Sequence, residues 1–563
     1  HRMGEQADTA FKTTGSKWLL PVSEYLGFPL DQVNFLACQL FALAAAFWFR
    51  LYLSPSHANP LVRHAVATLL GIAFLIFCFG WYSVHLLTVV VAGYLIIVKA
   101  DINNVHSYSM VTAMGYLTVC QVSRVFIFNY GILSTDFSGP LMIVTQKITT
   151  LAFQLHDGMC KKSEQLTPEQ KHLAINVRPS LIEYLSYNLN FLSVLVGPCT
   201  NYKDYVDFIE GRHISQRLRH RSGTCTGQNG YDKTPDLSPL PAVCQKLLVC
   251  CGCMLFFLIV TRSLPIKYNV DPDFVNHAAF LTRLTYAFFS IQAARPKFYF
   301  AWTLADAVNN AAGFGFKGID ENGKPSWDLI CNLNILGIET ATSFKTFIDN
   351  WNIRTGIWLK TVCYDRAPKH RLALTFILSA LWHGVYPGYY FTFITAIPIT
   401  MAARAIRKSI RHYFLGSKGL KMGYDILTWA ATQLAICYTV MPFLLLAVEP
   451  TLVYYRYVLS YFKHVELLRF YLDFCFSFLV YIFSIFFFPK HNSYDRFLPH
   501  FLFRSMYFHV HIISILAAIA LHRKHKTRDP SATSKMLPSA SPLSSLCSAQ
   551  CQPVHSNNND KVD

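Results

Sequence analysis

Apolar residues gather along the chain in runs approaching the length a helix needs to cross a bilayer, roughly 20 residues for about 30 Å of hydrocarbon. The clearest lie at 33–53, 65–80, 84–98, 110–128, 181–196, 247–260, 278–293, 390–402, 427–448, 470–488 and 508–521. Several are too short or too polar to face lipid on every side, and these predict helices packed among other helices or lying in the interface. The pattern therefore predicts an all-α fold, a polytopic integral-membrane helical bundle rather than a string of soluble domains. Residues 1–30 read as a polar N-terminal segment, 31–521 as one transmembrane domain, and 522–563, rich in Lys and Arg and then in Ser, Pro and Asn, as a disordered tail. Residues 1–12 lack the regions of a cleavable signal peptide, so the spans themselves are expected to direct targeting. Between the runs, the basic stretch 203–241 is rich in Gly, Ser and Pro and reads as a cytosolic loop.

Composition sharpens this picture. Of 563 residues, 53% are hydrophobic and 15% charged, which excludes the three or four soluble domains that length alone would permit. Lys and Arg number 50 against 32 Asp and Glu, a net charge of +18. On an apolar chain that excess marks cytosol-facing loops, and it points to a membrane surface and an anionic cofactor rather than to nucleic acid. The 16 cysteines fall far below the about 8–10% of a disulfide scaffold.

Three segments carry candidate chemistry. Over 343–362 the helical period places Phe344, Phe347, Ile348, Trp351, Thr355, Trp358, Leu359 and Val362 on one stripe. Asn352 sits at the edge of that apolar face, where an unpartnered amide costs about 1–3 kcal/mol, so it is either a structural hydrogen-bonder or a site residue. His383 follows an apolar run and precedes Gly384, Pro387 and Gly388, which predict a break just beyond the imidazole that lets backbone or substrate approach it. An ionisable residue at membrane depth is a functional candidate, the alternative being a neutral histidine hydrogen-bonded within the bundle. Asp306, Asn309 and Asn310 lie one helical turn apart ahead of Gly313 and Gly315, and either line a polar head-group chamber or pack and cap.

Other chemistries are set aside. Cys244, Cys250, Cys251 and Cys253 have no partner set at zinc spacing, so no metal is expected. The sequence has no P-loop or G-x-S-x-G elbow, and its G-x-G-x-x-G spacing at Gly313, Gly315 and Gly318 ends a helical pattern instead of following a strand, so it makes no dinucleotide fingerprint. Of its 21 histidines only His555, in the tail read as disordered, has Asp five positions later, Asp560, so the transmembrane domain holds no H-x4-D centre like that of the glycerolipid acyltransferases.

The pair Trp351-Asn352 and Trp382-His383, 31 positions apart (383 − 352), resembles the Asn and His pair of the membrane-bound O-acyltransferase (MBOAT) family. The longer strings YFAWTLADAVNNAAGFGF, DNWNI and TFILSALWHGVYPGYY look like the lysophospholipid acyltransferases of that family, and LDQVNFLACQLFALAAAFWFR, GYLTVCQVSR and DFSGPLMIVTQKIT support the same assignment over residues 14–455. The resemblance implies a multi-pass enzyme of the endoplasmic reticulum with about eleven helices around a reaction chamber. Acyl-CoA would enter from the cytosolic side and lysophospholipid from the bilayer, with no cofactor besides acyl-CoA as co-substrate. It implies His383 and Asn352 as the catalytic pair, with Trp351, Trp382, Asp306, Asn309 and Asn310 as chamber candidates. Similar members transfer unsaturated, oleoyl-like chains to lysophosphatidylethanolamine and lysophosphatidylserine in phospholipid remodelling.

The chemistry of these residue types agrees. Attack of a glycerol hydroxyl on a thioester needs a base, and imidazole suits that task near neutral pH. An amide such as that of Asn352 can orient the attacking group or the oxyanion without adding charge. With no candidate Ser or Cys nucleophile in these motifs, the expectation is direct transfer without an acyl-enzyme. Other acceptors, namely lysophosphatidylcholine, a sterol, diacylglycerol or a protein, and a lipid transporter or scramblase remain as alternative readings. The basic residues 217–221 either help hold CoA phosphates or are solvated loop charge. Against the family pattern, 456–504 reads as an insertion, which would reverse the side of the tail if its apolar run spans.

Overall fold

The computed structural model describes residues 14–126, 136–222, 237–320 and 322–461. Contacts divide the chain into a unit of His1–Tyr455 and a unit of Arg456–Asp563. The predicted runs 470–488 and 508–521, the atypical stretch beyond 461 and the tail lie outside the described residues.

Helices α1 (Leu20–Leu26) and α2 (Leu30–Tyr52) come first, so the stretch expected to be polar holds a short helix, ended by Gly27 at φ 67°. Next are α3 (Pro60–Phe79), α4 (Ser83–Lys99) and α5 (Val105–Phe126). Helix α6 (Ser138–Cys160) matches no apolar run. Its Thr145, Gln146, Lys147, Thr149, Thr150, Gln154 and Asp157 are each at most 5% exposed. A helix sheathed in protein need not be apolar, because its polar groups find partners there instead of meeting lipid.

Helices α7 (Pro168–Leu173) and α8 (Leu181–Leu189) each open with a capping box, Thr167 with Gln170 and Ser180 with Glu183. The run 181–196 is not one helix. The Asn190 amide turns back to donate to the carbonyls of Ser186 and Tyr187 at 2.9 and 3.0 Å, a local competitor to helix continuation. The chain beyond it is irregular but buried, with Phe191, Val194 and Leu195 in the core.

There follow α9 (Tyr202–Ile209), α10 (His213–Ser222), α11 (Leu240–Ile259), α12 (Pro272–His277), α13 (Phe280–Ala294) and α14 (Pro296–Ala311). A small antiparallel hairpin, β1 (Gly318–Ile319) with β2 (Pro325–Ser326), pairs Gly318 with Ser326. Then come α15 (Ile335–Glu339), α16 (Phe344–Asn350), α17 (Ile353–Leu359), α18 (Arg371–His383), α19 (Pro387–Ile410), α20 (Lys418–Leu445) and α21 (Val448–Tyr461).

Among the described residues, five segments are long and apolar enough to cross a membrane: Leu30–Tyr52, Pro60–Lys99, Leu240–Val270, Pro387–Lys408 and Lys418–Leu445. The runs 110–128 and 278–293 fall on α5 and α13, which do not meet that standard. Exposed Leu40, Phe41 and Trp48 on α2 and Leu248, Leu255, Phe256 and Ile259 on α11 form the apolar outer face that a bilayer requires. The fold is the expected all-α bundle. Its main core reaches from α2 through α8 and takes in Trp358 and Trp382, while a second cluster joins Tyr299, Phe344, Phe347, Ala396 and Ile436.

Candidate active site

His383 is the last residue of α18. Gly384, at φ 138°, turns the chain out of the helix, and Pro387 starts α19, as the sequence predicts. The close approach of α19 to the end of α20 needs Gly388. A Cβ there would meet Pro442 O at 2.1 Å, and the Gly388 N–H donates to Leu446 O at 2.8 Å. That seam brings Phe443 of α20 against the imidazole.

The half-buried ring of His383 stands in an aromatic box. Its centroid lies 4.7 Å from Trp382, 5.8 Å from Tyr389, 4.8 Å from Phe393 and 5.2 Å from Phe443. Its Nδ1 is 2.7 Å from the carbonyl of Ser379 one turn back. A carbonyl only accepts, so Nδ1 carries the proton and Nε2 keeps its lone pair in the neutral ring. The neutral imidazole thus leaves Nε2 as the atom able to accept a proton.

Asn352 does not continue a helix. The stripe over 343–362 breaks into α16 and α17 with Asn352 between them at φ 48°, ψ 51°. Asn tolerates this left-handed conformation better than most residues. Asn332 caps α17 in its place: its carbonyl accepts from Ile353 N–H at 2.8 Å and its Oδ1 from Arg354 N–H at 3.0 Å. The Asn352 amide makes no hydrogen bond among the described residues and is half-buried. A π turn, Lys360–Tyr364, follows α17, a feature frequent at functional sites.

One face of α6 holds both helices. Gln146 donates to Thr355 Oγ1 at 2.9 Å, Trp358 Nε1 donates to Thr149 Oγ1 at 2.9 Å, and Trp382 Nε1 donates to Met142 O at 3.1 Å. Positions 142, 146 and 149 share a helical face. Gln121 of α5 adds a bond to Trp382 O at 3.1 Å. Among the described residues no hydrogen bond joins Asn352 to His383 directly; α6 relates them.

The remaining candidates have protein partners. Trp382 is 4% exposed and anchors α18. Trp351 packs against Phe298, Tyr299, Trp302 and Phe347, with centroids 5.4–6.1 Å away. Asn309 donates to Leu192 O at 3.0 Å, fixing the irregular chain after α8, and Asn310 donates to Phe314 O at 3.0 Å and Trp327 O at 3.2 Å. Lys246 of α11 reaches Asp306 at 2.7 Å, Asp328 at 3.3 Å and Asn310 Oδ1 at 2.8 Å. Asp306, Asp328 and Cys331 lie close enough to share a cation, and the Lys246 ammonium already bonds both carboxylates. Arg217 of the basic stretch pairs with Asp204 at 3.0 Å. Gln121, Gln146, Thr149 and Thr355 are absent from the sequence-based site. The signal for α6 was a polar stripe at helical spacing.

The membrane-bound O-acyltransferase family model matches residues 122–444, which hold every site residue but Gln121. The chain is 59% identical to membrane-bound glycerophospholipid O-acyltransferase 1 of Mus musculus, over 82% of this chain and 92% of the relative. It is 55% identical to membrane-bound glycerophospholipid O-acyltransferase 2 of Gallus gallus, over 79% and 86%. It is 39% identical to lysophospholipid acyltransferase 6 of Drosophila melanogaster, over 77% and 60%.

Proposed function

The chain belongs to the membrane-bound O-acyltransferase family, and we propose that it moves an unsaturated, oleoyl-like acyl chain from acyl-CoA to lysophosphatidylethanolamine or lysophosphatidylserine. The reaction serves phospholipid remodelling in the endoplasmic-reticulum membrane, with acyl-CoA as co-substrate and no further cofactor. The names of its relatives support a glycerophospholipid acceptor. The observation that carries the mechanism is the Nδ1 bond of His383 to Ser379 O.

With its proton held on Nδ1, the ring offers Nε2 to the acceptor hydroxyl. The hydroxyl oxygen forms a bond to the thioester carbonyl carbon as its proton passes to Nε2. Asn352, its amide left free by the Asn332 cap, donates to the developing oxyanion or orients the hydroxyl. The C–S bond then breaks, and the CoA thiolate takes the proton back from the imidazolium. No acyl-enzyme forms.

The test is acyl transfer in microsomes from cells lacking the endogenous activity, offering oleoyl-CoA and a panel of lysophospholipids to wild type, His383→Ala and Asn352→Ala at equal expression. Product on lysophosphatidylethanolamine or lysophosphatidylserine that disappears in His383→Ala is the expected result. Full activity in His383→Ala, or ping-pong kinetics, would overturn the mechanism; product only on another hydroxyl would overturn the acceptor.

A further inference from the structure

Arg354 lies in the first turn of α17, two residues after Asn352. Its Nε is fully buried without an acceptor, and its side chain enters no hydrogen bond or ion pair among the described residues. The carboxylates that act on it electrostatically are Asp204 and Asp306, and both are already engaged, Asp204 by Arg217 at 3.0 Å and Asp306 by Lys246 at 2.7 Å. The contrast within the protein is sharp. Arg63 bonds to Ile209 O, Lys147 to Tyr187 O and Ser193, Arg295 to Glu339, Lys360 to Glu169 and Arg366 to Asp157.

Arg354 is half-buried, its Nε sealed in protein while the side chain keeps some exposure, and a guanidinium held so without a protein partner is favoured by an anion that completes it. Its planar fork matches two oxygens of a phosphate. Both substrates of the proposed reaction carry phosphate esters: the acceptor a phosphodiester a few bonds from its reacting hydroxyl, the donor the phosphates of CoA. The Cα atoms of residues 352 and 354 are at most about 7.6 Å apart, from the fixed spacing of consecutive Cα atoms. A substrate whose phosphate is gripped by Arg354 is therefore tied to the same short segment that carries Asn352.

We infer that Arg354 binds a substrate phosphate ester and so positions the reacting end of that substrate beside Asn352, an inference that rests on the phospholipid reading of the function. It is tested by equilibrium binding to the full-length protein in detergent, with lysophosphatidylethanolamine, coenzyme A and, as a phosphate-free control, monoacylglycerol as probes. Arg354→Gln is expected to weaken one phosphate-bearing probe at least ten-fold, leave monoacylglycerol unchanged and keep the ligand-free thermal midpoint. Loss confined to lysophosphatidylethanolamine assigns the acceptor phosphodiester, and loss confined to coenzyme A assigns the donor. Arg354→Lys, which keeps the charge but not the fork, is expected to fall between; it is read alone if Arg354→Gln does not fold. Unchanged affinity for both phosphate-bearing probes in the folded variants overturns the inference, as does a wild type that binds neither. Because binding is read apart from turnover, a wild type that binds yet forms no product condemns the proposed reaction and not Arg354.

Discussion

Trp358 and Trp382 lie with ring centroids 5.8 Å apart, and each indole N–H is bonded to α6, one at Thr149 and the other at Met142. The short helix that Asn352 precedes and the helix that His383 ends are therefore registered on one element. Positioning of this kind matters because an error of about 1 Å in reacting groups can cost about 100-fold in rate.

Trp358→Phe keeps most of the ring contact but removes the donor to Thr149. The lost bond is expected to lower stability by about 1 kcal/mol, and the loosened helix to lower the acyl-transfer rate about ten-fold or more. Thermal midpoints and initial rates at equal expression check this. An unchanged rate alongside a lowered midpoint would show that the indole bond is structural only.

Gln146 and Thr355 make the companion contact, side chain to side chain at 2.9 Å and both buried. Gln146→Leu and Thr355→Val each leave the other partner unsatisfied, at a cost of about 1–3 kcal/mol, whereas the double variant removes both polar groups. A double-mutant cycle on thermal stability is expected to give a coupling of about 1 kcal/mol. Additive effects would mean that the two side chains do not act as a pair.

The end of α18 was legible in the sequence because a local rule governs it: Gly384 and Pro387 force the exit wherever the helix packs. The single stripe over 343–362 was not a reliable guide, since Asn332, brought in from twenty residues upstream, supplies a second helix start that periodicity cannot register. Helix α6 escaped for a different reason. Hydropathy measures fitness for lipid, and Thr145, Gln146, Lys147 and Thr149 face protein instead. The partners of Asp306, Asn309 and Asn310 were likewise invisible, because Lys246 and the carbonyls of Leu192 and Trp327 come from elsewhere in the chain.

Asn352→Gly separates conformation from chemistry. Glycine adopts φ 48° without strain, and Asn332 continues to cap α17, so the variant is expected to keep its stability to within about 0.5 kcal/mol, read from its thermal midpoint. Activity is expected to fall about 100-fold or more, the loss seen on removing one oxyanion donor. Near-normal turnover would show that Asn352 is needed for its backbone alone.

Asp157 secures the far end of α6 and ties the site to pH. Arg366 grips its two oxygens at 2.9 and 2.6 Å, and Lys161 adds a contact at 3.1 Å. Burial pushes this carboxyl up, but the hydrogen bonds and charge of Arg366, then those of Lys161, outweigh it and hold the group below the ordinary carboxylate value. A group depressed in the folded state stabilises the fold above its unfolded value of about 3.9, and that contribution is lost as pH falls through the lower folded value. Asp157→Asn leaves the Arg366 guanidinium uncompensated and is expected to cost about 3–5 kcal/mol at neutral pH. The deficit should shrink steadily once the pH drops below about 4, because wild type then loses the same charge. Thermal midpoints of both proteins in detergent from neutral to acid pH check this, and equal midpoints at neutral pH would sink it. Since Met142, Gln146 and Thr149 lie on the same helix, the variant is also expected to lose acyl transfer at temperatures where the protein remains folded.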